Sequence, residues 1–143
     1  MDVEERFGLI KRNSAEIVSE EALKNLLKKK KKAVVYCGYE PSGPLHLGHF
    51  VTIMKLMDFQ NAGFHVKILL ADIHALLNRK GAESEIAKEV AAWKKTISAI
   101  GIKAEVVLGS DFQFKKEYQL DVMRLAQNSS IHRGLRSMQE IAR

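Results

Sequence analysis

The sequence feature with the clearest chemistry is a pair of histidines, His46 and His49, which opens a helix-forming stretch directly after a turn rich in proline and glycine. A helix N-terminus carries unpaired backbone amides and a partial positive charge, so it attracts phosphate groups. Imidazoles three residues apart lie on the same side of a helix and add donors there. Gly48 between them leaves the backbone bare, so that a flat base such as adenine can lie against it. The pattern predicts a site for a nucleoside triphosphate.

Two simpler interpretations of this histidine pair are open: two exposed side chains on a helix surface, or a metal site. For a metal, Cys37 and His74 are the candidates for further ligands, but the sequence has neither a second cysteine nor an HExxH pattern. A bare HxGH motif is short and weak by itself. Its position after a buried strand and a Pro-Ser-Gly turn favours the nucleotide site, and we predict no metal bound by the protein itself.

Alternating strands and helices are predicted to position these residues. The β-prone runs Ala33–Cys37 and Phe64–Ala71 predict strands buried on both faces, and Ala104–Leu108 predicts a third strand. Helical periodicity predicts helices over Leu47–Asn61 and Ser84–Ile100, each closed by a glycine. This order is typical of an α/β fold with a Rossmann-like parallel sheet, flanking helices and right-handed crossovers. Ligands of such sheets bind beyond the carboxyl ends of the strands.

Further helices are predicted outside this alternation. One starts at Ser19, whose hydroxyl suits a helix cap, and runs out in the lysines at 28–32. Two more are predicted near Lys116–Asn128 and Ser130–Arg143, and Asp72 is predicted to cap the turn that follows it. The apolar residues that mark the inner faces of the two long helices are Phe50, Ile53, Met54 and Met57 in the first, and Ile86, Val90, Trp93, Ile97 and Ile100 in the second.

Composition limits the class of protein more than it names a ligand. At 143 residues, 46% hydrophobic and 28% charged, the chain has the size and balance of one globular domain. Its net charge of +6 favours a polyanionic partner such as ATP or RNA. The single cysteine, Cys37, cannot form an internal disulfide, which favours a cytoplasmic location. No apolar run approaches the ~20 residues that span a bilayer, so no membrane partner is predicted.

Three motifs carry a resemblance to a known family: GYEPSGPLHLGH from Gly38, LLADIHALLN from Leu69 and GSDFQ from Gly109. In this order and spacing they resemble the tyrosyl-tRNA synthetases of archaeal and eukaryotic type, which are class I aminoacyl-tRNA synthetases. His46-Leu47-Gly48-His49 is similar to the HIGH signature of that class, with leucine for isoleucine. The similarity covers the whole chain, and three matched motifs are much more specific than any one of them.

The resemblance implies that tyrosine reacts with ATP to form tyrosyl-adenylate and then passes to tRNA, with Mg accompanying the ATP. It implies that His46 and His49 are catalytic, holding the phosphates and stabilising charge on the α-phosphate. The ATP-binding residues that it implies are Gly38, Glu40, His46, Gly48 and His49. The tyrosine-binding residues that it implies are Tyr36, Leu69, Ala71, His74, Phe112 and Gln113. Tyr36 would reach the phenol from the end of the first strand, where a tyrosine also needs a partner for its own hydroxyl.

The C-terminal helical stretch has two arginines, Arg133 and Arg136, spaced to meet phosphates from one face. The resemblance implies a tRNA contact here, while an exposed basic helix face is the equally weighted alternative. It also implies a homodimer in the full-length family. The apolar residues left to be covered in the preceding stretch are Leu120, Val122, Met123 and Leu125.

Relative to this family the sequence has no KMSKS-like loop and no anticodon-recognition domain. We therefore expect residues 1–143 to be the N-terminal part of the catalytic domain, in a truncated or fragment form whose activity alone is open. One alternative is a small HxGH nucleotidyltransferase, whose length fits better but whose turn normally carries a Phe-Asp-Pro-like sequence. The other is a catalytically inactive fragment that binds tRNA or a protein.

Overall fold

The computed structural model describes residues 1–29 and 33–141, with side chains described as far as residue 136. Residues Met1–Gly109 form one compact unit and Ser110–Arg143 a second. The lysine run predicted to end a helix continues to residue 32, and its last three residues lie outside the described part of the chain. Within the described residues, no helix is both long enough and apolar enough to cross a bilayer.

A three-stranded parallel sheet lies at the centre of the first unit. Its strands are β1 (Val34–Tyr39), β2 (His65–Leu70) and β3 (Ala104–Leu108), in the order β1-β2-β3. The carboxyl ends of the strands are adjacent, because the Ala71 amide donates to the Tyr39 carbonyl at 2.8 Å and the Gly109 amide to the Leu70 carbonyl at 3.0 Å. The predicted parallel α/β sheet is confirmed. Its first strand extends two residues further than predicted.

The described part of this unit also contains five helices: α1 (Val3–Lys11), α2 (Glu20–Lys28), α3 (Leu47–Asn61), α4 (Asp72–Leu77) and α5 (Glu83–Ile100). The predicted limits of α3 are confirmed, and those of α2 and α5 hold to within a residue at each described end. Ser19 caps α2 by accepting a hydrogen bond from the Ala22 amide at 3.1 Å. Helices α1 and α4 were not predicted. Asp72 is the first residue of α4 and not its cap, which is Ala71, so that prediction was wrong.

Only one face of the sheet is packed, which corrects the prediction that β1 and β2 are buried on both faces. Burial alternates along β2, where Val66, Ile68 and Leu70 are fully enclosed and the residues between them are partly exposed. On the opposite face of β1, Val34 is 55% and Tyr36 is 73% exposed. Both crossovers run in the same direction along the sheet, and right-handed crossovers of one direction place their helices on one face. The other face is therefore left open in the described part of this unit.

The packed face holds the main core of the first unit. Trp93 of α5 is 1% exposed and packs with Ile53 and Leu56 of α3 against β2. The predicted inner face of α5 is confirmed. That of α3 is only partly right, since Phe50 and Met54 are 36% and 45% exposed. The buried face of α3 runs through Ile53 and Leu56 and is narrow, so Phe50 and Met54 lie outside it.

A buried carboxylate fixes α3 to the segment after α1. Asp58 is 7% exposed, and its two oxygens accept hydrogen bonds from Nε of Arg12, at 3.2 Å, and from Nη2 of the same guanidinium. Lys55 Nζ lies 3.9 Å from Asp58 and donates to the carbonyls of Ile10 and, at 2.6 Å, of Arg12. Because α3 carries the histidine pair at its other end, this clamp fixes the helix on which the pair is mounted.

The second unit contains α6 (Ser110–Gln113), α7 (Lys116–Gln127) and α8 (Ile131–Ile141). Helices α7 and α8 confirm the two predicted helices. The last two residues of the second predicted helix, at 142–143, lie outside the described part of the chain. All of α7 is exposed. Its predicted apolar side chains have exposures of 42% at Leu120, 43% at Val122, 60% at Met123 and 68% at Leu125.

Candidate functional site

His46 and His49 lie side by side at the N-terminus of α3. His46 is the N-cap residue, with an extended backbone, and its Nδ1 accepts a hydrogen bond from the Gly48 amide at 3.1 Å. Nδ1 of His49 accepts one from the His46 amide at 3.3 Å. The ring centroids are 3.9 Å apart, with an angle of 33° between the planes. The prediction that both imidazoles occupy the same side of the helix start is confirmed.

These capping bonds decide where each histidine carries its proton. Because both Nδ1 atoms accept amide hydrogens, the neutral form of each ring has its proton on Nε2. The result is two neighbouring Nε2–H donors at the positive end of a helix, an arrangement suited to an oxyanion. The Gly48 amide donates to His46 and is therefore not the unpaired backbone donor that we predicted. At Gly48 the donors available to a phosphate are those of the two imidazoles.

Gly48 is required by the position of the His46 ring. A Cβ added to Gly48 would lie 3.0 Å from Cε1 and 3.2 Å from Nδ1 of that imidazole. Contacts this short would force the His46 ring to shift by a few tenths of an ångström, at the expense of its capping bond. The glycine therefore has a steric role that the sequence did not indicate, while its predicted role beside adenine stays a prediction.

His49 belongs to an aromatic cluster with Tyr39 and Trp93. Its ring makes an edge contact with Trp93, at a centroid distance of 4.8 Å, and a second with Tyr39, at 6.0 Å. The Tyr39 and Trp93 rings are 5.5 Å apart. Burial in this cluster lowers the pKa of His49, and the neighbouring His46 lowers it further. His49 therefore stays neutral at neutral pH and keeps its Nδ1 acceptor.

Hydrogen bonds tie the aromatic cluster to the turn and to the helix. Trp93 Nε1 donates to the Gly43 carbonyl, in the Pro-Ser-Gly turn, at 2.7 Å. The Tyr39 hydroxyl lies 2.7 Å from Thr52 Oγ1, which donates to the His49 carbonyl at 2.8 Å. Burial raises the pKa of Tyr39, so its phenol stays protonated. Strand β1, α3 and α5 thus all fix the histidine pair.

Glu40 and His74, both predicted site residues, lie together beyond β1 and β2. Glu40 Oε2 is 3.7 Å from His74 Nε2 and accepts a hydrogen bond from Asn78 Nδ2 at 3.2 Å. Its other oxygen, Oε1, is buried and has no hydrogen-bond partner among the described residues. A buried polar atom without a partner costs free energy, so it marks a position where a ligand donor would be favourable.

Tyr36, Gly38 and Leu69 lie on the open face of the sheet. Gly38 is in register with Leu69, and a Cβ at Gly38 would meet only Leu69 Cδ2, at 3.8 Å. Tyr36 lies at the third position of β1, so the prediction that it ends the strand was wrong: the pairing with β2 continues through Gly38 to Tyr39. With its side chain 73% exposed, the Tyr36 hydroxyl is accessible to solvent and does not need the protein partner that we expected.

Four predicted site residues belong to the second unit. Phe112 and Gln113 are half-buried in α6, where the Phe112 ring makes an edge contact with Tyr118 at 5.3 Å. The Gln113 carbonyl accepts a hydrogen bond from Gln119 Nε2 at 2.6 Å. Arg133 and Arg136 are exposed on α8. The binding roles of all four residues stay predictions.

Within the described residues, no group of three or more His, Cys, Asp and Glu side chains could hold a metal ion. A metal ion at the histidine pair would also have to compete for the Nδ1 atoms, since both accept hydrogen bonds from backbone amides.

Sequence reasoning missed four residues that shape this site: Tyr39, Thr52, Asn78 and Trp93. Trp93 was placed in the core, but its N–H group had no predictable acceptor. The sequence does indicate that such a hydrogen bond exists, because a buried tryptophan requires a partner for its N–H group. It does not indicate which carbonyl is the acceptor. The Tyr39–Thr52 hydrogen bond joins two elements, and nothing in the local sequence indicates it.

The family described as tRNA synthetases class I (W and Y) matches residues 28–140. The chain therefore belongs to that family of class I synthetases, whose Rossmann-like catalytic fold agrees with its parallel sheet.

Individual relatives narrow the similarity further. The chain is 48% identical over 146 residues to a tyrosine–tRNA ligase of Archaeoglobus fulgidus, with 100% of the chain and 45% of the relative covered. It is 52% identical over 139 residues to the tyrosine–tRNA ligase of Methanocaldococcus jannaschii, with 97% and 45% covered. The chain thus spans about half the length of these curated relatives.

Solved structures agree with the sequence relatives. The tyrosyl-tRNA synthetase of Archaeoglobus fulgidus, complexed with L-tyrosine, superposes with a TM-score of 0.92 at 48% identity, covering 99% of this chain and 45% of that one. The tyrosyl-tRNA synthetase of Aeropyrum pernix gives a TM-score of 0.85 at 36% identity, covering 95% and 43%.

Proposed function

We propose that this chain carries the amino-acid activation site of a tyrosine–tRNA ligase. In the proposed reaction the carboxylate of tyrosine attacks the α-phosphorus of ATP, pyrophosphate leaves, and the tyrosyl group of the adenylate then passes to tRNA. The family match supports the reaction class, and the names of the curated relatives support tyrosine as the amino acid.

The observation that carries the proposal is the pair of Nε2–H donors on His46 and His49. Negative charge builds up on the phosphate oxygens as the carboxylate attacks and the pyrophosphate departs. Two donors fixed beforehand by capping bonds stabilise that charge without having to reorganise during the reaction. No covalent intermediate with the enzyme is needed, which agrees with a site that contains donors and no activated nucleophile.

We propose that the remaining ATP contacts come from Gly38, Glu40 and Gly48. The buried Oε1 of Glu40 would accept a hydrogen bond from a donor of the adenylate. Gly38 leaves the space above Leu69 empty, so the ligand can approach the sheet backbone closely.

We propose that tyrosine binds above the open face, beside Tyr36 of β1 and Leu69 of β2 and near Ala71 and His74, which follow β2. The apolar Leu69 and Ala71 suit an aromatic ring, and the exposed hydroxyl of Tyr36 suits the substrate phenol. Phe112 and Gln113 are also proposed as tyrosine-binding residues.

We further propose that Mg²⁺ enters with ATP as part of the substrate, because Mg²⁺ is usually bound through substrate phosphates and not by a cage of protein ligands. In the cytoplasm the protein would act as a homodimer on tRNA, with Arg133 and Arg136 contacting phosphates. The exposed apolar side chains of α7 support the dimer.

One second candidate has an observation in its favour: a tRNA-binding protein without activation activity. The net charge of +6 and the exposed arginines of α8 support it. A small HxGH nucleotidyltransferase is disfavoured, because the matched family is a different class of enzyme.

The test is amino-acid-dependent exchange between ATP and pyrophosphate, with tyrosine, phenylalanine and tryptophan compared. We expect tyrosine alone to drive exchange, His46→Ala to abolish it, and the matched exposed histidine variant His132→Ala to leave it unchanged. If no amino acid drives exchange while tRNA binds with a steep salt dependence, the second candidate is correct and the proposal is wrong.

A further inference from the structure

The chain has a single tryptophan, Trp93, which lies almost fully enclosed at 1% exposure. Its surroundings are unusual for a core side chain, because its ring touches one member of the histidine pair while its N–H group holds the turn before the other. The Trp93 and His49 ring centroids are 4.8 Å apart, and Nε1 lies 2.7 Å from the Gly43 carbonyl.

We propose that Trp93 is a positioning residue for the histidine pair, acting from α5 through the imidazole of His49 and the backbone of the turn that carries His46. This inference rests on the proposed function. It concerns a residue that touches neither ATP nor tyrosine in that proposal.

The Gly43 hydrogen bond fixes the turn. Residues 40–44 contain Pro41 and Pro44, whose nitrogens cannot donate, so the turn has few internal hydrogen bonds to hold it. Within the turn, the Ser42 amide donates a hydrogen bond to the Glu40 carbonyl, at 2.9 Å. A donor from outside, on a helix packed into the core, therefore determines where the chain enters α3.

The ring contact fixes His49. Its edge contacts with Trp93 and Tyr39 leave the imidazole few alternative rotamers, so its Nδ1 stays in line with the His46 amide. In the described structure, the titratable side chains in ring contact with His49 are His46 from its own turn and Tyr39 from β1. Helix α5 contributes the neutral indole.

The test uses Trp93→Phe, which removes the N–H group and part of the ring while keeping an aromatic side chain in the core. The matched control is Phe59→Leu, which removes an aromatic ring from a separate buried cluster formed by Phe7, Ile10, Leu27, Ala62 and Phe64, where the Phe59 and Phe64 ring centroids are 5.2 Å apart. Two readouts are compared on the whole chain. One is the NMR titration of the His49 ring, assigned with His49→Gln, and the other is tyrosine-dependent exchange.

In Trp93→Phe we expect the His49 titration to move toward the ordinary histidine range. We also expect kcat for exchange to fall about tenfold with KM for tyrosine unchanged, since misplaced catalytic groups lose rate more than ground-state binding. Phe59→Leu should change neither readout. If Trp93→Phe is folded and either its His49 titration or its kcat equals that of the parent chain, the positioning role is overturned.

The two proposals fail in different ways. If the parent chain drives no exchange, the proposed function fails, and the His49 titration alone decides the positioning role. If Trp93→Phe does not fold, β-(3-benzothienyl)alanine at position 93 keeps both fused rings and lacks the N–H group. The same fall in kcat and a displaced His49 resonance are then expected, and an unchanged His49 resonance would overturn the proposal.

Discussion

Replacing Gly48 with alanine is expected to leave the free energy of unfolding nearly unchanged while it disturbs the histidine pair. Alanine in a helix is more stable than glycine by about 1 kcal/mol. The new Cβ, however, would lie 3.0 Å from Cε1 of His46. The ring must move away, and the loss of its capping bond to the Gly48 amide costs about 1 kcal/mol. The two contributions oppose each other and are of similar size.

Gly8 provides the matched control, because it lies inside α1 and a Cβ there has no heavy atom within 4 Å. Gly8→Ala should raise the free energy of unfolding by about 1 kcal/mol, the full helix preference. The difference between the two alanine variants, about 1 kcal/mol, then measures the cost of displacing His46.

Urea unfolding followed by Trp93 fluorescence gives both free energies, and tyrosine-dependent exchange gives the effect on the site. We expect Gly48→Ala to lose at least about tenfold in exchange rate, since its donors no longer meet the transition state. A Gly48→Ala chain as stabilised as Gly8→Ala, with unchanged exchange, would refute the folded-back position of the His46 ring.

Three further predictions concern stability. Asp58→Ala should lower the free energy of unfolding by about 2 kcal/mol, because it leaves Arg12 and Lys55 without their buried carboxylate. Asp121→Ala, at an exposed ion pair on α7, should change that free energy little. Equal losses for the two variants in urea unfolding would contradict the clamp formed by Asp58. Hydrogen bonds from His65 and Lys67 lower the pKa of Glu105, so its contribution to folding stability is present above the ordinary pKa of 4.5 and is lost as pH falls below that value. Glu105→Gln should therefore flatten the dependence of the free energy of unfolding on pH in that range. An unchanged pH dependence would count against the ion pair. Tyr39→Phe should lower the free energy of unfolding by about 1 kcal/mol. The double variant Tyr39→Phe, Thr52→Val should lose less than the sum of the two single variants, since both side chains belong to one chain of hydrogen bonds. Full additivity in a double-mutant cycle would argue against that coupling.

The elements predicted well from sequence are those with local start and stop signals. Helix α3 begins after His46 and ends before Gly63, whose φ of 92° only glycine adopts easily, and both limits were predicted. Helix α5 likewise ends at Gly101, with φ of 83°. Parallel pairing followed from the alternation of strands and helices. These signals are local, so they can be read without knowing the rest of the fold.

The errors concern properties that depend on distant partners. Whether Tyr36 is covered depends on what lies over the sheet, and an aliphatic strand reads the same whether one face is packed or two. Phe50 and Met54 fit the helical period of α3, but the period does not say which side of a wide apolar stripe meets the sheet. The acceptor of the Trp93 N–H group also could not be predicted, because it lies 50 residues away in sequence.

The strand order explains why this fold both fixes the histidine pair and leaves one face of the sheet open. Because β1, β2 and β3 are adjacent in sequence order, both crossovers run in the same direction and their helices, α3 and α5, share one face. That sharing lets Trp93 of α5 reach His49 at the start of α3. It also leaves the opposite face uncovered in the described part of this unit, so that Tyr36 is exposed there. A fold that alternated its helices between the two faces would separate Trp93 from His49 and cover Tyr36. The fixed position of the histidine pair and the accessibility of the open face therefore have the same topological cause.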